Sequence, residues 1–118
     1  MNDEYLEQKM QELRELGESY GKAKSLVTSL EYGRQILKSV LMKKHMLKPN
    51  GKELSVNAQE REALSDPEYA DHIQKLKNAV YDEAKFRWDM KLAEMKFERW
   101  KTLTIAQMKE YKQYGNKI

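Results

Sequence analysis

The chain has 118 residues, 35% of them charged and 40% apolar, with two prolines, five glycines and no cysteine. That length holds one domain and one core, and the lack of cysteine excludes disulfides and thiolate chemistry. The net charge of +3 conceals blocks: residues 1–20 carry −4, 21–52 carry +7, 53–72 carry −5 and the remainder +5. Charge alternating in this way steers a polyanion to one surface, pairs protomers of opposite local charge, or simply solvates long helices.

So few turn-forming residues favour few, long elements. The expected fold is all-α, a single domain over residues 1–118 with two long helices joined by a turn and a short helix. No apolar run approaches the ~20 residues of a membrane span. The acidic start MNDEYLEQ does not read as a signal peptide, so the expected location is the cytoplasm.

The first helix is predicted over residues 3–47. Leu6, Met10, Leu13, Leu16, Tyr20, Ala23, Val27, Leu30, Leu37 and Leu41 recur in steps of three and four with one gap, the stripe of an amphipathic helix. Gly17, Gly21 and Gly33 each cost up to ~1 kcal/mol against alanine there. Gly17 and Gly21 share a face, which favours a kink, hinge or break over close helix approach.

A loop is predicted over 48–57, where Lys48-Pro-Asn-Gly-Lys52 marks a turn. Asn57 and Glu60 then have the spacing of a capping box, which starts a short helix over 58–64. Ser65-Asp66-Pro67-Glu68 gives a second start, with a capping residue, proline at the first helical position and acid in the first turn.

The last helix is predicted over 67–114, with Gly115 as its terminator. Its first half has one narrow stripe, Tyr69, Ile73, Leu76, Val80 and Ala84. From Phe86 onward there are two. Trp88, Leu92 and Met95 form one; Phe86, Met90, Ala93, Phe97, Trp100, Met108 and Tyr111 form the other. A helix with two apolar faces must bury both, and one partner helix in the same chain covers only one. The expectation is a homo-oligomer of three or more chains, an irregular bundle or ring, with Phe86, Trp88, Phe97 and Trp100 at the interface. No sustained heptad register points to a simple coiled coil.

Signatures of catalysis are missing. There is no phosphate-binding glycine loop, nucleophile elbow or HExxH motif, so the sequence predicts no enzyme, no catalytic residues and no cofactor. His45 and His72 have no ligand at metal-binding spacing, and His72 reads as a surface residue. What remains is polyanion binding. Arg34, Lys38, Lys43, Lys44, Lys48 and Lys52 crowd the end of the first helix and the following turn with few acids nearby, forming a plausible phosphate-contacting ridge. The plainer alternative is that these lysines complement the helix macrodipole. Tyr20 and Tyr32 read as core residues before they read as stacking surfaces for bases.

The layout of a long basic helix, the segment Ala63-Leu-Ser-Asp-Pro-Glu-Tyr69 and a long helix with central aromatics resembles the UvsY type of phage recombination mediator. It is also similar to small phage recombination-module proteins, from Ser55-Val-Asn-Ala-Gln-Glu-Arg-Glu-Ala-Leu64 through Arg87-Trp88 to Arg99-Trp100. The resemblance covers roughly residues 20–112 and is one of organisation, so no functional residue transfers by position. It implies a homo-oligomer that binds single-stranded DNA and helps load a recombinase onto strands covered by a single-strand-binding protein, in the cytoplasm of a host bacterium. The rival expectations are a phage assembly or scaffolding protein and a small helical adaptor or inhibitor of a host protein.

Overall fold

The structure, a computed structural model, describes residues 3–115. It is all-α as expected: α1 spans Asp3–Lys44, α2 Val56–Leu64 and α3 Pro67–Gly115. The chain divides into two compact units. One joins residues 1–21 to 85–118, and the other is residues 22–84.

Helix α1 runs as one α-helix past Gly17 and Gly21, so no outright break occurs there. The division between the units nonetheless falls directly after Gly21. The helix ends at Lys44 rather than at residue 47, because the chain turns into a short hairpin. Leu47 and Glu53 form an antiparallel bridge. Within it the Lys48 N–H donates to the Lys52 carbonyl at 2.7 Å and the Gly51 N–H to the Lys48 carbonyl at 2.9 Å. Pro49 follows the first residue of this turn, and Gly51 closes it at φ +82°, in the left-handed region open to glycine.

Helix α2 begins at Val56, two residues earlier than predicted, and its cap is Ser55 rather than Asn57. The Ser55 hydroxyl accepts from the Ala58 N–H at 3.2 Å. The serine wins because the chain leaves the hairpin there, and Gln59 secures the entry by donating to the Leu54 carbonyl at 2.8 Å. Helix α3 starts at Pro67 as expected and continues through Gly115, one residue beyond the predicted end.

In the unit 22–84, small side chains bring elements together: Ala23, Ala63 and Ala79 are buried, as is Leu41 at 1% exposure. Close helix approach occurs here, at Gly33 rather than at Gly17 or Gly21. A Cβ on Gly33 would lie 3.1 Å from the His72 ring, whereas Gly17 and Gly21 face open space. His72 is therefore not a surface residue. It is half-buried, with Nε2 2.7 Å from the Leu30 carbonyl, tying α3 to α1.

This contrast sets an expected result. Gly17→Ala gains helix propensity at no steric cost and raises Tm by a few degrees, reflecting a stabilisation of up to ~1 kcal/mol. Gly33→Ala gains the same propensity but displaces an anchored imidazole, so its Tm does not rise. Thermal melts of the two variants, followed by circular dichroism, make the comparison; equal stabilisation would show that His72 yields freely.

The other unit has a thinner interior. None of its described side chains is buried. Its best contacts are the Tyr5 and Trp100 rings, 5.2 Å apart, and the Phe97 and Trp100 rings at 5.9 Å. No helix among the described residues is long and apolar enough to cross a membrane.

Candidate nucleic-acid interface

The end of α1, the hairpin, α2 and the start of α3 meet in the unit 22–84, and Asp66 is their node. As a cap, its Oδ1 accepts from the Glu68 N–H at 2.9 Å. Its Oδ2 lies 2.8 Å from His45 Nε2 and 3.1 Å from the Lys44 ammonium. The carboxylate is only 4% exposed. Hydrogen bonds from His45, from the Glu68 backbone and from Lys44 hold its pKa at about 2. Lys44 is raised in turn, chiefly by its hydrogen bond to Asp66.

This node changes the reading of the basic ridge. Lys44 is committed to Asp66, with Glu68 at 3.9 Å. Lys38 is committed to Glu60 at 2.8 Å. Both carboxylates come from the acidic block at 53–72, which folding lays against the basic helix. Arg34 is half-buried. It also sits nine residues from Lys43, which at about 100° per residue places the two on opposite sides of α1. The six predicted cations therefore do not form one continuous free ridge.

Lys43, Lys48 and Lys52 are different: all three are exposed, and none has a carboxylate at ion-pair distance among the described residues. The hairpin sets Lys48 directly opposite Lys52, joined by the 2.7 Å backbone bond. Like charges facing each other across an antiparallel pair destabilise it. The fold thus carries a concentration of positive charge that no carboxylate among the described residues pairs with.

Tyr32 belongs with this surface rather than with the core. It is 72% exposed, and with Ile36 (65%) and Val40 (55%) it forms an uncovered stripe. Lys43 lies eleven residues further on, within about 20° of Tyr32 around the helix and about 16 Å along it. Tyr20, by contrast, is half-buried, as expected for packing. The aromatic was legible in the sequence; its exposure depended on which face of α1 the rest of the chain covers.

The four residues expected at an oligomer interface all lie in the other unit, and they divide. Phe86, Phe97 and Trp100 are half-buried, with the Trp100 ring tilted at 41° against Tyr5. Trp88 is 57% exposed, beside Leu92 at 37% and Met95 at 58%. The two stripes read from the sequence therefore have different fates: one is half-buried from Phe86 to Trp100 but exposed at Met108 and Tyr111, and the other is uncovered. Tyr5 and Trp100 also form a wall of an apolar groove of about 690 Å³ that continues to Met108 and Tyr111.

No group of three or more histidine, aspartate or glutamate side chains among the described residues is placed to hold a metal ion. His45 and His72 are occupied by Asp66 and by the Leu30 carbonyl. No protein family matches the chain, and no curated protein or solved structure is similar to it.

Proposed function

We propose that this chain is a non-catalytic, self-associating helical protein that binds single-stranded DNA through Lys43, Lys48 and Lys52, with Tyr32 as a stacking surface. The observation that carries the reading is the pair Lys48 and Lys52, opposed across the hairpin that follows the exposed Lys43 and without a carboxylate at ion-pair distance among the described residues. A phosphate bridging such lysines removes their repulsion and releases condensed counterions. An exposed tyrosine offers a base a face irrespective of sequence, which favours single strands over duplex. Self-association is supported by the uncovered stripe Trp88, Leu92 and Met95. The narrower role of a UvsY-type mediator, loading a recombinase onto strands held by a single-strand-binding protein, rests on the resemblance in sequence organisation.

The test is oligonucleotide anisotropy across a salt series. Wild type binds an unstructured single strand more tightly than duplex, with little base preference. Changing Lys43, Lys48 and Lys52 together to alanine weakens binding roughly tenfold or more at low salt. It flattens the logarithmic salt slope by about 2, at about 0.7 per lost contact. Tyr32→Ala costs about 1–3 kcal/mol in affinity, the value of one stacked base. The triple lysine variant relieves the Lys48–Lys52 repulsion, so its Tm does not fall, and the exposed Tyr32 leaves Tm unchanged when truncated. If wild type shows no affinity even at low salt, the DNA reading goes. An assembly or scaffolding protein then takes its place, a reading favoured by the apolar stripe and by the ion pairs that already join basic and acidic blocks at Lys38 and Lys44.

A further inference from the structure

In the unit formed by residues 1–21 and 85–118, the two helices present outer faces of opposite charge. On α3, Trp88, Leu92 and Met95 lie within about 60° of one another around the helix, and Arg99 falls inside the same arc. Lys85, Lys91 and Lys96 flank it. These four cations are exposed, and none has a carboxylate at ion-pair distance among the described residues. Lys91 instead rests over the Trp88 ring at 5.9 Å. Glu98, exposed, and Asp89, half-buried, are the acids at its two edges.

On α1, the face turned away from α3 carries Glu7, Gln11, Glu15 and Glu18, with Met10 at its edge, 51% exposed. The three glutamates are exposed and have no cation at ion-pair distance among the described residues. Arg14 is the one base among them. It donates to Gln11 at 2.9 Å, and Gln11 donates onward to Glu15 at 3.1 Å. Glu7 and Glu15 are eight residues apart, as are Lys91 and Arg99, about 12 Å along either helix.

We propose that the outer face of α3 docks a second copy of this chain, and that it takes the acidic outer face of α1 in that copy. This rests on the self-association reading and specifies its geometry. The alternative symmetric contact, α3 on α3, sets Lys85, Lys91, Lys96 and Arg99 against their own copies, and like charges so juxtaposed select against it. The α3-on-α1 contact joins unlike surfaces, so every copy keeps one free donor face and one free acceptor face. A contact of this kind is heterologous and propagates until it closes into a ring or continues as a filament. One helix-on-helix seam is small beside the ~800 Å² that each partner of a stable interface buries. Closure, in which every copy uses both faces, adds strength to a seam that by itself pairs two copies at high protein concentration. Because charge pairing sets the register, assembly weakens as salt rises.

The test uses two full-length variants, each with one face disabled, in sedimentation velocity at low salt. The first carries Trp88→Asp and Met95→Asp on α3; the second carries Glu7→Lys and Glu15→Lys on α1. Wild type forms oligomers of three or more copies, and each variant alone is monomeric. An equimolar mixture forms one-to-one heterodimers and nothing larger, because each contributes the face the other lacks. All four changes lie on outer faces, so helix content by circular dichroism is unchanged. If the first variant loses helix content, Trp88→Gln with Met95→Gln replaces it.

A mixture that stays monomeric overturns the proposal, as does wild-type-like assembly of the α1 variant, which is the mark of α3-on-α3 pairing. So does an α3 variant that assembles normally but loses oligonucleotide affinity, which makes that face a nucleic-acid site. Oligonucleotide binding by wild type is measured separately. If DNA binding survives while the heterodimer fails to form, this inference alone falls; if the heterodimer forms without DNA affinity, only the DNA reading falls.

Discussion

Leu41→Ala is expected to destabilise the unit 22–84 by about 3 kcal/mol, within the 2–5 kcal/mol usual for truncating a buried leucine. Leu41 is the largest side chain that is fully enclosed, at 1% exposure, and its buried apolar companions are all alanines. A cavity left by the truncation adds its cost to the lost transfer free energy. Ile36→Ala, five residues earlier on the same helix but 65% exposed, changes stability by no more than about 0.5 kcal/mol. Urea unfolding of the two variants measures the difference. Comparable losses would mean that the Ile36 stripe is covered in the assembled protein, and a small loss for Leu41 would mean that its surroundings collapse onto the gap.

The second large effect is expected at Asp66. It closes the first turn of α3 through the Glu68 N–H and reaches His45 and Lys44 at the end of α1. Asp66→Ala removes the cap and the latch together and lowers Tm by roughly 5–10 °C. Asp66→Asn keeps a capping oxygen, loses the charge, and falls between the two. The acid dependence follows from the carboxyl's pKa, held at about 2 against an ordinary 3.8. A lowered folded-state pKa means that the unfolded chain binds the proton more readily. The stabilisation is therefore fully present above about pH 4 and is lost as pH falls toward 2. Subtracting the Asp66→Asn stability profile from that of wild type should give a difference that is flat above pH 4 and shrinks below it. A difference that stays constant down to pH 2 would sink the assignment.

What was legible in the sequence was whatever depends on near neighbours. The turn at Pro49-Asn50-Gly51 appears where proline and glycine demand it, and α3 starts at Pro67 behind Asp66. The two apolar stripes of α3 follow from spacing on a single helix, and the structure half-buries one from Phe86 to Trp100 and leaves Trp88 on the other exposed. The misplaced boundaries are equally local in cause. A helical stripe carries no signal that Leu47 will pair with Glu53 across a hairpin, nor that Ser55 will cap ahead of Asn57.

Only the tertiary structure decided which charges are free. In the sequence, Lys38, Lys43, Lys44 and Lys48 are equivalent members of one basic run. Folding brings Glu60 to Lys38 and Asp66 to Lys44 from 22 residues away along the chain, and leaves Lys43, Lys48 and Lys52 without an acid at ion-pair distance among the described residues. The same holds for His72 and Gly33, whose contact joins two helices and has no trace in either segment alone. The physical reason is one of range. Helix, cap and turn energies act within about four residues and are written in the local sequence. The availability of a charge or an aromatic ring depends on which distant surface is laid over it, and packing sets that.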